Sequence, residues 1–134
     1  MLKQLSVFTE NSKGTFQSIT GLLEDAGINI WGSTTNGSAE FGIIRLIVSD
    51  PEAARQLLEQ SGFLCRSNSI LGVELFDEVG SLNHLLVSLA ESNVNVDYTY
   101  LSFNRTSGMP VMVIHTDSIW EVEECLKAKG YSLI

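Results

Sequence analysis

Basic residues are scarce. Eight Lys and Arg stand against sixteen Asp and Glu in 134 residues, a formal net charge of −8 at pH 7. Binding a nucleic-acid duplex requires clustered cations that displace counterions from the phosphates. The eight here are scattered, so no nucleic-acid partner is expected. An anionic membrane surface is disfavoured on the same ground. Long apolar runs are missing too, since nothing approaches the roughly 18–20 residues that span a bilayer. The opening Met1-Leu2-Lys3-Gln4-Leu5-Ser6-Val7-Phe8 turns polar at Thr9-Glu10-Asn11-Ser12, too short and too soon polar for a secretory leader. Cysteine is nearly absent: Cys65 and Cys125 make no disulfide framework, and both lie in apolar stretches where a reduced, buried thiol is the ordinary state. A cytoplasmic location, with no membrane association, is the expectation. His84, His115 and the two cysteines lack metal-ligand spacing, so neither a metal nor a cofactor is expected.

What is present is a globular composition, 44% apolar and 18% charged, arranged as a repeat. A shift of 66 positions brings Leu5 onto Leu71, Val7 onto Val73, Gly14 onto Gly80, Leu23 onto Leu89, Asn29 onto Asn95 and Gly42 onto Gly108. Conservative pairs fill the gaps: Phe16 with Leu82, Ile19 with Leu85, Ile28 with Val94, Ile30 with Val96. The offset holds without a gap to Val48, then becomes 68, so that Leu58 meets Leu126 and Gly62-Phe63 meets Gly130-Tyr131. Two copies at so long a period indicate domain duplication rather than a solenoid.

Each copy carries the same order of elements. In the first, a strand over 5–9 runs into the polar Glu10-Asn11-Ser12-Lys13-Gly14, and Phe16, Ile19, Leu22, Leu23 and Ala26 fall on one helical face that ends at Gly27. Ile28 opens a second strand, Thr35-Asn36-Gly37-Ser38 signals a hairpin, and 41–48 form a buried strand. A helix starts at Asp50-Pro51-Glu52, with Pro in the first turn where its missing N–H costs nothing. Ala54, Leu57 and Leu58 point inward, Gly62 ends the helix, and 63–70 form the fourth strand. In the second copy, a strand over 71–76 precedes a helix with Leu82, Leu85, Leu86 and Leu89 inward. A strand over 94–103 turns at 104–108 into a strand over 109–115, with Pro110 confined to its first residues. A last helix carrying Ile119, Val122, Cys125 and Leu126 leads to a strand over 131–134.

The order βαββαβ with right-handed crossovers gives a four-stranded antiparallel sheet covered by two helices on one face. The expected fold is therefore α+β: two ferredoxin-like βαββαβ domains, the first over residues 1–70 and the second over 71–134. A module of about 65 residues is marginal alone. No Pro, Gly-Ser or charged spacer separates the copies, so a fixed interface between them is expected, the kind of place where sites form.

The loop between first strand and first helix reads Asn11-Ser12-Lys13-Gly14-Thr15-Phe16 in one copy and Asp77-Glu78-Val79-Gly80-Ser81-Leu82 in the other. After each helix comes Gly27-Ile28-Asn29-Ile30 or Asn93-Val94-Asn95-Val96. These strings, in register with the repeat, resemble those of the ACT-domain family, the amino-acid-sensing modules attached to many metabolic enzymes. Both copies depart from the family pattern in having Lys13 and Val79 where it has Pro, and the first has Asn11 in place of Asp. The resemblance covers nearly the whole chain. It implies a free-standing tandem form, an amino-acid ligand at the boundary of paired domains, a metabolic-enzyme partner and a homodimer.

A helix N-terminus leaves backbone N–H groups without intrahelical partners at an electropositive end. Gly14 and Gly80 remove the side chain that would shield them, so a carboxylate fits there, while Asn11 or Asp77 and the start of the second strand offer acceptors for an ammonium group. The candidate ligand-binding residues are Asn11, Ser12, Lys13, Gly14, Thr15 and Phe16 with Asn29, Ile30 and Trp31, and Asp77, Glu78, Val79, Gly80, Ser81 and Leu82 with Asn95, Val96 and Tyr98. The bland alternative has the glycines merely permitting a tight turn, Ser12 acting as an N-cap, and Asn29 and Asn95 bonding neighbouring loops. Trp31, Tyr98 and Tyr100 serve packing or form apolar walls for a ligand. Ser81, His84 and Asp77 mimic a nucleophile, base and acid, but Ser81 and His84 sit three apart on one helix with no oxyanion-hole motif. No enzyme activity is expected.

Overall fold

The computed structural model describes residues 1–38 and 40–134. Its elements run β1 (Leu2–Glu10), α1 (Thr15–Asp25), β2 (Ile30–Gly37), β3 (Phe41–Val48), α2 (Pro51–Gln60), β4 (Leu64–Glu74), α3 (Ser81–Glu91), β5 (Tyr98–Phe103), β6 (Pro110–His115), α4 (Ile119–Ala128) and β7 (Ser132–Leu133). This is an α+β chain in which βαββαβ occurs twice. The end of the first copy and the start of the second are one unbroken strand, β4, where two separate strands were expected. The chain divides into two compact units, one comprising Lys3–Ser69 and the other Met1–Leu2 with Ile70–Ile134.

In the first unit β3 pairs antiparallel with both β1 and β2, Leu5 facing Leu46 and Thr34 facing Arg45. Period-two alternation turns Leu5 and Val7 into the core and leaves Ser6 between them half-buried. Gln4 is also fully buried, and its amide bonds Asn68 Oδ1 (3.4 Å) and Ser6 Oγ (3.4 Å), the pairing a buried polar group requires. Helix α1 contributes Ile19 and Leu23, one turn apart, and α2 contributes Ala54 and Leu58, closing one face of the sheet. Asp50 caps α2 by accepting from Ala53 N–H (3.1 Å), with Pro51 next to it. Arg55 pairs with Glu52 and Glu59 on the solvent face of α2, an exposed cluster that adds little stability.

In the second unit the strands lie in the order β7-β4-β6-β5, all antiparallel, with Val73 facing both Met112 and Leu133. Leu71, Val73, Leu85, Leu89, Ile114, Val122 and Leu126 form its core. Pro110 opens β6 opposite Phe103, a strand start that asks no N–H of it. Gly72 is required by crowding: a Cβ there would lie 2.7 Å from Leu2 Cδ1 and 3.1 Å from Ile134 Cγ1.

Several expectations need correction. Leu82 and Leu86 are 42% and 40% exposed, whereas Leu85 and Leu89 are buried. A helix against one sheet face buries a narrow stripe, and α3 has more leucine than that stripe accommodates. Ala26 is likewise exposed, because it is the residue on which α1 ends. The second strands begin later than expected, at Ile30 and Tyr98 rather than Ile28 and Val94. Ile28 N–H and Val94 N–H are instead taken by the helix-end carbonyls of Leu23 and Leu89. The strand expected over 71–76 ends at Glu74, and the last strand is only Ser132–Leu133.

Leu85→Ala should lower unfolding free energy by about 2–5 kcal/mol and Leu82→Ala by about 0.5 kcal/mol or less; urea denaturation of the two variants compares them directly. Burial pushes the Cys65 thiol up to about 11, with the Glu59 carboxylate adding to the rise and Arg55 opposing it. A raised folded-state value gives stability that is complete below the unfolded pKa and disappears as pH climbs through about 11. A disulfide reagent at mildly alkaline pH should therefore modify the half-buried Cys125 in the native protein and Cys65 only after denaturation.

Candidate functional site

The two glycine loops have the same backbone. Gly14 (φ +83°) and Gly80 (φ +90°) both lie in the left-handed region that favours glycine, and each precedes the first residue of its helix. The hydrogen bonds repeat at the 66-residue offset. Ser12 N–H donates to Glu10 C=O and Glu78 N–H to Phe76 C=O, both at 2.9 Å. Thr15 N–H donates to Ser12 C=O and Ser81 N–H to Glu78 C=O, both at 3.3 Å. Neither helix receives a side-chain cap from the described residues. Ser12 does not act as N-cap: its hydroxyl lies 2.7 Å from Thr15 Oγ1. Among the described residues nothing accepts from the backbone N–H groups of Phe16 and Gln17, or of Leu82 and Asn83. These amides point along an electropositive helix end with their hydrogen-bonding capacity unused.

A cavity of about 360 Å³ opens beside the start of α3, lined among others by Phe76, Glu78, Ser81, His84, Lys129 and Tyr131. That lies within the range of small-molecule sites, roughly 300–1,000 Å³. Glu74 also lines it, but its carboxylate accepts from Asn104 Nδ2 (2.7 Å) and Ser107 Oγ (3.2 Å) and so braces the 104–107 turn. Glu78 and Lys129 supply the remaining charges, one of each sign. No hydrogen bond links Ser81 to His84 among the described residues, so the two do not form a nucleophile–base pair. In the first unit a smaller cavity, about 180 Å³, lies between the glycine loop and the β2–β3 hairpin. Asn11, Ser12, Thr15 and Phe16 line it, and the Asn11 amide group donates to Ser38 C=O.

The expected partners from the second strands are elsewhere. Asn29 N–H donates to Ser49 Oγ and its C=O accepts from Ser49 N–H, Ile30 begins β2, and Trp31 stands 37% exposed on it. Val96 packs on the second core, and Asn95 lines a different cavity. Tyr98 stacks on His115 at 4.8 Å, whose Nδ1 is 2.9 Å from Asp97 Oδ2. Lys13 and Gly14, and Asp77, Val79, Gly80 and Leu82, shape the loops without lining these cavities. The segment 129–132 was missed by sequence reasoning. It reaches the α3 cavity only because β7 pairs with β4, a contact between residues about sixty positions apart that no local pattern announces.

Among the described residues no cluster of His, Cys, Asp and Glu could hold a metal ion, and no helix is long and apolar enough to cross a membrane. A family model described as an ACT domain pair matches residues 1–134. No curated protein matches the chain. Among solved structures, protein BT0572 from Bacteroides thetaiotaomicron is 31% identical with a TM-score of 0.90, covering 99% of this chain and 91% of that one. The ligand-free regulatory subunit of aspartate kinase from Thermus thermophilus is 15% identical with a TM-score of 0.70, covering 95% and 89%. The corresponding subunit from Thermus flavus is 15% identical with a TM-score of 0.65, covering 96% and 91%.

Proposed function

Because the chain belongs to the ACT domain pair family, we propose that it is a regulatory protein that binds an amino acid at the glycine loop opening α3. The observation that carries this reading is the cavity of about 360 Å³ at that helix start, with charges of both signs on its wall. An amino acid is a zwitterion. Its carboxylate would take the N–H groups at the head of α3, where the helix dipole favours an anion, and its ammonium would take Glu78. The α1 loop has the same backbone but a cavity below the usual size range, so α3 is the primary site and α1 a weaker one. The solved chains that share this fold include regulatory subunits of aspartate kinase. By that likeness the proposed partner is an enzyme of amino-acid metabolism. Regulation follows only if the ligand binds the two states of the pair, or of the partner, with different affinity.

A second reading is a ligand-free subunit that docks on an enzyme. It is favoured by the exposed apolar side chains Phe76, Val79, Leu82, Leu86 and Val87 on and before α3. The expected homodimer would also use such a face.

Calorimetric titration with each of the twenty amino acids separates the two readings. At least one should bind saturably and, at a hundred times its Kd, raise stability by about 2.7 kcal/mol, seen as a higher melting temperature. Glu78→Gln should weaken that binding about tenfold through loss of a charge-assisted hydrogen bond, leaving the melting temperature of the free protein unchanged. No heat and no melting shift with any amino acid rejects the amino-acid site and leaves the docking reading.

A further inference from the structure

The two copies differ at the end of the unit opposite the glycine loops, and the difference opens a second cavity. Between the aligned Val48 and the α2 cap Asp50 stands only Ser49, whereas His115, Thr116 and Asp117 separate Ile114 from Ser118, which precedes α4. In the first copy Ser49 closes the gap, its Oγ accepting from Asn29 N–H (3.0 Å) and its N–H donating to Asn29 C=O (2.9 Å). In the second copy no hydrogen bond joins Asn95 to Asp117 among the described residues. A cavity of about 330 Å³ lies there instead, lined by Val94, Asn95, Thr116, Asp117, Glu121 and Val122 together with Cys125.

Thr116 is the telling residue. It is only 5% exposed and lines the cavity, yet among the described residues nothing bonds its hydroxyl. Buried polar side chains are ordinarily paired, and one left facing a cavity marks a place for a hydrogen-bonding guest. The charge of the wall says which guest. The C-terminal end of α3, at Ser92, and the N-terminal end of α4, at Ser118, both reach this cavity, and their dipole charges of about −0.5 and +0.5 offset each other. Asp117 and Glu121 then set the sign, and among the described residues no Lys or Arg lines the wall. A bare ion would leave most of the volume empty, and Val94 and Val122 offer apolar surface to an organic body. We infer that this cavity is a binding site for a small organic amine in its ammonium form, held by Asp117, Glu121 and the Thr116 hydroxyl. It stands independently of the glycine-loop site.

The test is amide chemical-shift mapping on the whole chain with 1,4-diaminobutane as the probe, 1,4-butanediol as its neutral counterpart and calcium chloride as the bare-cation control. The diamine should shift the amides of Asn95, Thr116, Asp117 and Glu121 saturably, and the diol should not. It should also slow modification of Cys125, whose thiol donates to Ser92 Oγ (3.3 Å) in the same wall. Thr116→Val and Glu121→Gln should each weaken diamine binding about tenfold. Glu121 is exposed, so its variant tests the site even if the Thr116 variant fails to fold. Absence of saturable shifts, equal shifts with the diol, or shifts confined to residues 77–84 would overturn the assignment. Saturation by calcium chloride at the same amides would overturn it in favour of a metal site.

Discussion

The direction of one helix start governs the rest. Helix α3 is fixed in rotation by Leu85 and Leu89, which are buried one turn apart in the second core. Gly80 then brings the chain in at φ +90°, a conformation that favours glycine, and contributes no side chain of its own there. Core packing at one end of the helix thereby decides where unpaired N–H groups sit at the other. The cavity beside that helix start is completed by the sheet, since pairing of Leu133 with Val73 carries residues 129–132 to it. The proposed binding would thus draw on backbone and packing, with few charged side chains involved.

Duplication supplied this arrangement twice, and the copies have since diverged in what surrounds it. The loop bonds of 10–15 and 76–81 correspond one for one. Around α1, however, the Asn11 amide group is engaged by Ser38 and the cavity is half the size of its counterpart. At the other end of the unit, two added residues before α4 stand where the first copy has the paired Asn29–Ser49 hydrogen bonds, and a polar cavity lies there instead. A repeated chain can thus keep one framework, two cores of similar make-up, while its loops acquire different chemistry at little cost to stability.

Much of the framework could be read from residues. The 66-residue offset, the glycine punctuation and the period of Ile19 and Leu23 or Leu85 and Leu89 specify strands and helices in the right order, because local periodicity and turn chemistry are short-range signals. Asp50 and Pro51 announced the start of α2 correctly for the same reason. What depends on distant contacts was hidden. Leu82 and Leu86 share the helical face pattern of buried residues, and only the packing of the helix on the sheet decides that they stay exposed. The contribution of Lys129, Tyr131 and Ser132 to the α3 cavity depends on strand pairing. Asn95 and Tyr98, grouped with the glycine loop in the sequence reading, line another cavity and stack on His115 respectively, since all of α3 lies between them and the loop. The shift of offset after Val48 was visible as a number, but its consequence, an unbonded Thr116 in a cavity wall, was not.

The most direct measurement is a crystal structure of the chain grown or soaked with a mixture of amino acids. If the head of α3 is the ligand site, a carboxylate should lie within hydrogen-bond distance of the Leu82 and Asn83 N–H groups, with an ammonium beside Glu78. The contrary result is a structure in which a side-chain oxygen or carbonyl of the chain itself occupies those amides, and the equivalent amides of Phe16 and Gln17, with no ligand at either helix. The duplicated fold would then stand as a scaffold alone.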